Sequence, residues 1–175
     1  MTFKRFYVGF LITAIFFNPL NAISGAQANE EYAIKAAFLY HFGEFVEWPS
    51  NGAQFIIGII GKDPFGHEID MLENETLKGK KVEVRRYDSE KAIQQPHILF
   101  ISPSEAARIP DIMNQLAGKP VLTVSDSEGF LREGGIIRLV RVGKKICFEI
   151  NKKKADQEGL KISSQLLNLA MDVVQ

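Results

Sequence analysis

Three polar residues stand where a small ligand could be held: Asp63, His67 and Ser104. Asp63 and His67 belong to or adjoin the turn Gly61-Lys62-Asp63-Pro64-Phe65-Gly66, and Ser104 closes Ser102-Pro103-Ser104. Each turn follows an apolar run and leads into a helical one. In an open α/β sheet such turns lie beyond the carboxyl ends of the strands, where ligands usually sit. The free N–H groups of a helix start can hold an anion or carboxylate there. Ser125-Asp126-Ser127-Glu128-Gly129 has a similar setting. Turn residues of these types also close loops that bind nothing, so both readings stay open.

Other chemistry finds less support. The glycine-rich turn matches neither the dinucleotide fingerprint nor the phosphate-loop pattern. His41, His67 and His97 have no metal-ligand spacing with one another, with cysteine or with a carboxylate pattern. No G-x-S-x-G elbow presents a serine nucleophile. We therefore expect no cofactor, no metal, no catalytic residue and no enzymatic activity. Gly134-Gly135 precedes a strand and predicts a tight turn or a close backbone approach.

The elements that must position these residues begin with an export signal. Residues 1–28 carry a basic start (Lys4, Arg5), an apolar run over 6–17, then breakers and Ala26-Gln27-Ala28. This is the pattern of a signal peptide cleaved after Ala28. The apolar run is short for a membrane span, and no later segment approaches that length. The mature chain, residues 29–175, suits one globular domain in the periplasm. It loses two basic residues and no acidic ones, so its charge balance is slightly acidic and argues against nucleic acid.

Within residues 31–49 the apolar side chains Ile34, Phe38, Phe42 and Phe45 recur at helical spacing, with Leu39 and Val46 beside them. Lys35, Glu44 and Glu47 are expected to face water. Apolar runs at 54–61, 81–87, 97–102 and 120–125 read as strands, and helical segments separate most of them. That is the signature of a mostly parallel sheet with helices on both faces, a three-layer α/β sandwich. Asp63 and Pro64 predict a helix start running to about residue 72, Ser104 a helix cap, and Pro110 an interruption. Residues 136–142 and 145–150, joined by Gly143-Lys144, predict a C-terminal antiparallel hairpin. Asn151 caps a short helix, Lys152-Lys153-Lys154 its solvated face or a site for anionic lipid headgroups or an acidic surface. Ser163 and Ser164 open a last helix extending to Val173. Cys147, the lone cysteine, is expected to be buried.

Taken in order, these segments resemble the YfiR family of exported bacterial regulators. The resemblance is carried by residues 31–49 ending in Glu-Trp-Pro and by the strand before Gly-x-Asp-Pro-Phe-Gly. It continues through residues 97–102, Leu122-Thr123-Val124-Ser125-Asp126, Phe130, Gly134-Gly135-Ile136-Ile137 and Phe148-Glu149-Ile150-Asn151. Gly159-Leu160, Ile162-Ser163-Ser164 and the leucines after them complete it. It implies a periplasmic, non-enzymatic protein that binds the sensing domain of an inner-membrane diguanylate cyclase and represses cyclic di-GMP synthesis and biofilm. The cysteine pairs of better-known members are missing here. A stand-alone small-ligand binding protein and a hydrolase on the same sheet are the other readings. The expected partner is that cyclase or another membrane sensor. The protein would act as a homodimer, with Tyr40, Phe45 and Trp48 on the edge of the first helix as the docking surface.

Overall fold

The computed structural model describes residues 20–49 and 52–175. The export-signal reading of residues 1–19 lies outside them. Five α-helices are formed: α1 (Leu20–Phe45), α2 (His67–Asp70), α3 (Ile109–Leu116), α4 (Lys152–Gln157) and α5 (Ser164–Leu169). The strands are β1 (Val46–Glu47), β2 (Gln54–Ile60), β3 (Thr76–Leu77), β4 (Lys80–Tyr87) and β5 (Ile98–Ile101). They continue with β6 (Leu122–Ser125), β7 (Ile137–Val142), β8 (Lys145–Asn151), β9 (Lys161–Ile162) and β10 (Asp172–Val174).

Eight strands make one sheet in the order β10-β8-β7-β6-β5-β2-β4-β3. From β4 through β2, β5 and β6 to β7 every pair is parallel, while β7 and β8 form the expected antiparallel hairpin. The continuous burial of β5 and β6 explains why their sequences show no alternation. The strands β1 and β9 pair separately, antiparallel.

The sheet buries two apolar layers. On one face α1 lays Ala36, Leu39 and Phe42 against Phe55, Ile57, Phe100, Val124, Leu139 and Phe148. On the other, α3 packs Ile109, Ile112, Met113 and Leu116 against Ile60, Leu99, Ile101 and Phe130. Close approach is built in at two glycines. A Cβ on Gly43 would meet Leu77 Cδ1 at 2.6 Å, and one on Gly135 would meet the Phe130 ring at 2.3 Å. Gly134 makes the adjoining turn at φ +88°.

Several sequence expectations need correction. Helix α1 stops at Phe45, because Val46–Glu47 pair with β9 instead of continuing the helix. Its buried line runs through Lys35, Ala36, Leu39, Phe42 and Gly43, leaving Ile34 40% exposed. Lys35 is therefore inside, not in water. Asp63 caps a turn rather than a helix, and α2 begins only at His67. Ser102, not Ser104, is the N-cap of the 3-10 segment Pro103–Arg108, and Pro110 sits in the first turn of α3 without interrupting it. The last helix ends at Leu169, since Asp172–Val174 pair in parallel with β8. Cys147 is half-buried. The caps at Asn151 and Ser163 are formed, each side chain accepting a backbone N–H.

At the amino ends of the strands His97 joins three segments. Its Nδ1 accepts the Ile56 N–H at 3.1 Å, and its carbonyl accepts Trp48 Nε1 and the Leu122 N–H at 3.0 and 2.9 Å. Its ring stacks on Phe55, centroids 4.5 Å apart. Burial, and then the charge of Lys80, lowers this imidazole from 6.5 to about 4. The unfolded chain takes up a proton at His97 below 6.5, whereas the folded chain does so only near about 4. His97 thus favours folding above that window, and its contribution is lost as pH falls through it, by up to about 1.4 kcal/mol per pH unit. In urea titrations across these pH values, His97→Asn should be less stable at neutral pH yet show a flatter decline with acid. An unchanged slope would mean that the imidazole is protonated in the native fold.

Candidate functional site

The turns beyond the strand ends are tied together by their own polar groups. Asp63 Oδ1 accepts the backbone N–H of Phe65 at 2.7 Å and of Gly66 at 3.3 Å. Its Oδ2 accepts Arg86 Nε at 2.7 Å, and Arg86 also reaches Asp70 at 2.7 Å. Across the same turn, Ser104 Oγ accepts the Lys62 N–H at 2.9 Å while Ser102 Oγ donates to the Lys62 carbonyl at 2.7 Å. The fold therefore brings Asp63 and Ser104 to one loop. His67 opens α2, is exposed, and joins neither by a hydrogen bond.

The most unusual chemistry lies beside this loop, under the first half of α1. Lys35 is 3% exposed. Its ammonium sits 2.5 Å from Asp126 Oδ2 and 2.6 Å from Glu31 Oε1. The Tyr32 hydroxyl donates to the same Asp126 oxygen at 3.0 Å, and the Lys35 Nζ lies 4.2 Å from the Tyr32 ring centroid. Arg141 closes the outer side, 2.8 Å from Glu31 Oε2. Burial would raise the Glu31 carboxyl, but hydrogen bonding and charge from Lys35, then Arg141, hold it below its ordinary value. Burial and then the Asp126 charge push the Tyr32 hydroxyl well up, so it stays a donor. The Tyr32 ring meets Phe65 edge-on at 5.3 Å, and Phe65 meets Phe100 at 4.7 Å.

Helix α1 therefore bridges the turn after β2 and the turn after β6, and fills the strand-end position with its own side chains. Asp126 Oδ1 and Ser127 Oγ are buried beside it without a hydrogen-bond partner. Sequence reasoning picked out the Asp126 turn but not Lys35. Glu31, Tyr32 and Lys35 at i, i+1 and i+4 are an available signal, since i and i+4 share a helix face.

The docking candidates sit toward the other end of α1. Tyr40 is partly buried and donates to the Thr76 carbonyl at 3.1 Å. Phe45, also partly buried, lines a cleft of about 280 Å³ with Glu44, Glu47, Lys78, Lys161, Ile162 and Ser163. Trp48 is half-buried, edge-on to Phe55 at 5.2 Å.

A family model described as YfiR/HmsC-like matches residues 32–171. The chain belongs to the YfiR/HmsC-like family. No curated protein matches this sequence significantly. Solved structures that share the fold include two of low sequence identity. One is a conserved domain protein from Vibrio cholerae, at 12% identity and TM-score 0.57, covering 81% of this chain and 60% of that one. The other is described as an ABC domain in complex with L-Trp from Streptococcus pneumoniae, at 14% identity and TM-score 0.50, covering 68% and 55%. This YfiR/HmsC-like chain thus spans less than two thirds of either neighbour. No described helix is long and apolar enough to cross a membrane.

The buried ion cluster of this family member is testable. Removing one partner of a buried pair leaves the other charge uncompensated, which costs about 3 kcal/mol or more. Lys35→Met should lower stability by that order in chemical denaturation. Lys35→Met combined with Asp126→Leu should recover part of the loss. A wild-type value for Lys35→Met alone would show that Asp126 finds water instead.

Proposed function

We propose that this protein binds the periplasmic sensing domain of an inner-membrane diguanylate cyclase and represses cyclic di-GMP synthesis, acting as a homodimer. Membership of the YfiR/HmsC-like family carries this reading. The signal-like segment before the matched region supports it, because it directs the chain to the compartment where such a sensing domain lies. The chain is exported by the Sec route and cleaved after Ala28, leaving residues 29–175 as one domain. N-terminal sequencing of the periplasmic protein should begin at Asn29. A membrane-bound product that keeps Met1 would refute cleavage.

The aromatic edge of α1 is the contact in this reading. Aromatic anchors commonly dominate interface affinity, at about 2 kcal/mol or more each. Trp48 also holds the His97 carbonyl, so stability must be measured alongside function. Tyr40→Ala and Phe45→Ala should raise cyclic di-GMP in cells carrying the cognate cyclase, with melting temperatures lowered only modestly. Trp48→Ala should do both, raising cyclic di-GMP and lowering the melting temperature. Normal cyclic di-GMP with all three folded variants would place the contact elsewhere.

A second reading, a small-ligand sensor, is favoured by the unfilled hydrogen-bonding capacity of Asp126 Oδ1 and Ser127 Oγ at the strand ends. Asp63, His67 and Ser104 would form its rim. The structural neighbour described with L-Trp shares this chain's fold. Calorimetric titration with L-tryptophan is the direct check. Binding that survives Asp63→Ala with His67→Ala would exclude that rim.

A further inference from the structure

Among the described residues, Lys35, Lys152 and Lys154 are the lysines with a carboxylate within ion-pair distance. Lys152 and Lys154, in the run that the sequence makes conspicuous, are paired along α4 with Asp156 and Glu158. Five of the others gather toward the amino ends of the parallel strands. Lys78, Lys80 and Lys81 lie on the β3–β4 turn and the start of β4, Lys81 level with the first residue of β2. Lys161 lines the same cleft as Lys78, and Lys119 immediately precedes Pro120, which lines a small cleft with Trp48, Gln95 and His97. Among the described residues none of these five lysines has a carboxylate within ion-pair distance. Lys78 Nζ reaches only the Val46 carbonyl and lies 5.7 Å from the Trp48 ring centroid. On the flank, Glu44 is engaged by His41, and Glu47 stands opposite Lys161 in the β1–β9 pair. Exposed Pro49, Gly52 and Ala53 beside Trp48 carry no charge.

We propose that this amino-end face rests on an anionic lipid surface. Clusters of four or more lysines attract such headgroups at about 1 kcal/mol per charge. The composition favours lipid over a protein partner. Protein interfaces are depleted in lysine and enriched in arginine, whose planar fork recognises a defined carboxylate. This face has lysine only, a compact mobile charge suited to a diffuse array of phosphates. Trp48 supplies an amphipathic ring of the kind that settles at headgroup level. The inference concerns lipid and not the cyclase, so it goes beyond the proposed function.

The test uses the protein purified from the periplasmic fraction and vesicles that contain no protein. It should co-sediment with phosphatidylglycerol-containing vesicles at about 0.01 M salt, not with pure phosphatidylcholine, and should be released at roughly 1 M salt. Lys80→Gln, Lys81→Gln and Lys161→Gln together should weaken partitioning about a hundredfold, with an unchanged melting temperature. Lys144→Gln, Lys145→Gln and Lys153→Gln make the same charge change elsewhere and should retain binding. Equal loss in both triple variants would show a response to net charge alone and overturn the proposal. So would equal partitioning onto neutral vesicles. If vesicles are not bound, while the first triple variant loses capture of the detergent-solubilised cyclase, the face is a protein contact and the lipid assignment fails. Failure of that capture in the wild type, with vesicle binding intact, would instead remove the cyclase reading and leave this one standing.

Discussion

When α1 lies down on the sheet, the Lys35 ammonium gives up its water, and only Asp126 and Glu31 compensate it. Desolvating an ion costs several kcal/mol, so this arrangement tolerates little displacement of either partner. That constraint fixes the rotation and the axial position of the helix. With Lys35 placed on Asp126, Ala36, Leu39, Phe42 and Gly43 necessarily follow into the core, and Tyr32 necessarily meets Phe65. An apolar stripe alone would permit several registers on a smooth sheet. The ion cluster selects one of them.

The same tie decides which end of the sheet is available. In related architectures the carboxyl ends of the parallel strands are where ligands enter. Here that end is occupied by Tyr32 and Lys35, and by the clasp of Asp63, Arg86, Ser102 and Ser104. The amino end has no such cover. Trp48, His97 and a group of lysines remain there, close to the cleft that Phe45 lines. These lysines and partly exposed rings thus lie at the end opposite the one suggested by the turns.

Much of the sheet was legible because its signals are local. Strands buried on both faces leave uninterrupted apolar runs, and the Gly143-Lys144 turn identifies its hairpin without tertiary information. The errors came where a tertiary contact overrode a local preference. Ile34 extends the stripe of Phe38 and Phe42, but in that turn the sheet selects the neighbouring face, and no local rule places a lysine inside. The helical spacing of Leu166, Leu169 and Val173 was real, yet the open edge of β8 captured Asp172–Val174 as a strand. Asp63 and Pro64 have the composition of a helix start, but Asp63 spends one oxygen on the Phe65 and Gly66 amides and the other on Arg86. The turns named as candidates do follow β2, β5 and β6 at the carboxyl ends of the parallel strands. What fills them came from a helix almost a hundred residues away in sequence, which spacing cannot reveal.

The edge strand β10 has a temporal consequence. It pairs with β8 and lies downstream of every other described strand, so a chain emerging from its amino end presents the β8 edge bare until Asp172–Val174 arrive. An unpaired edge is a template for pairing with other chains. The interval between the emergence of Asn151 and of Val174 is then the period in which this edge is most open to pairing with other chains, and slowing the chain there would favour aggregation over folding.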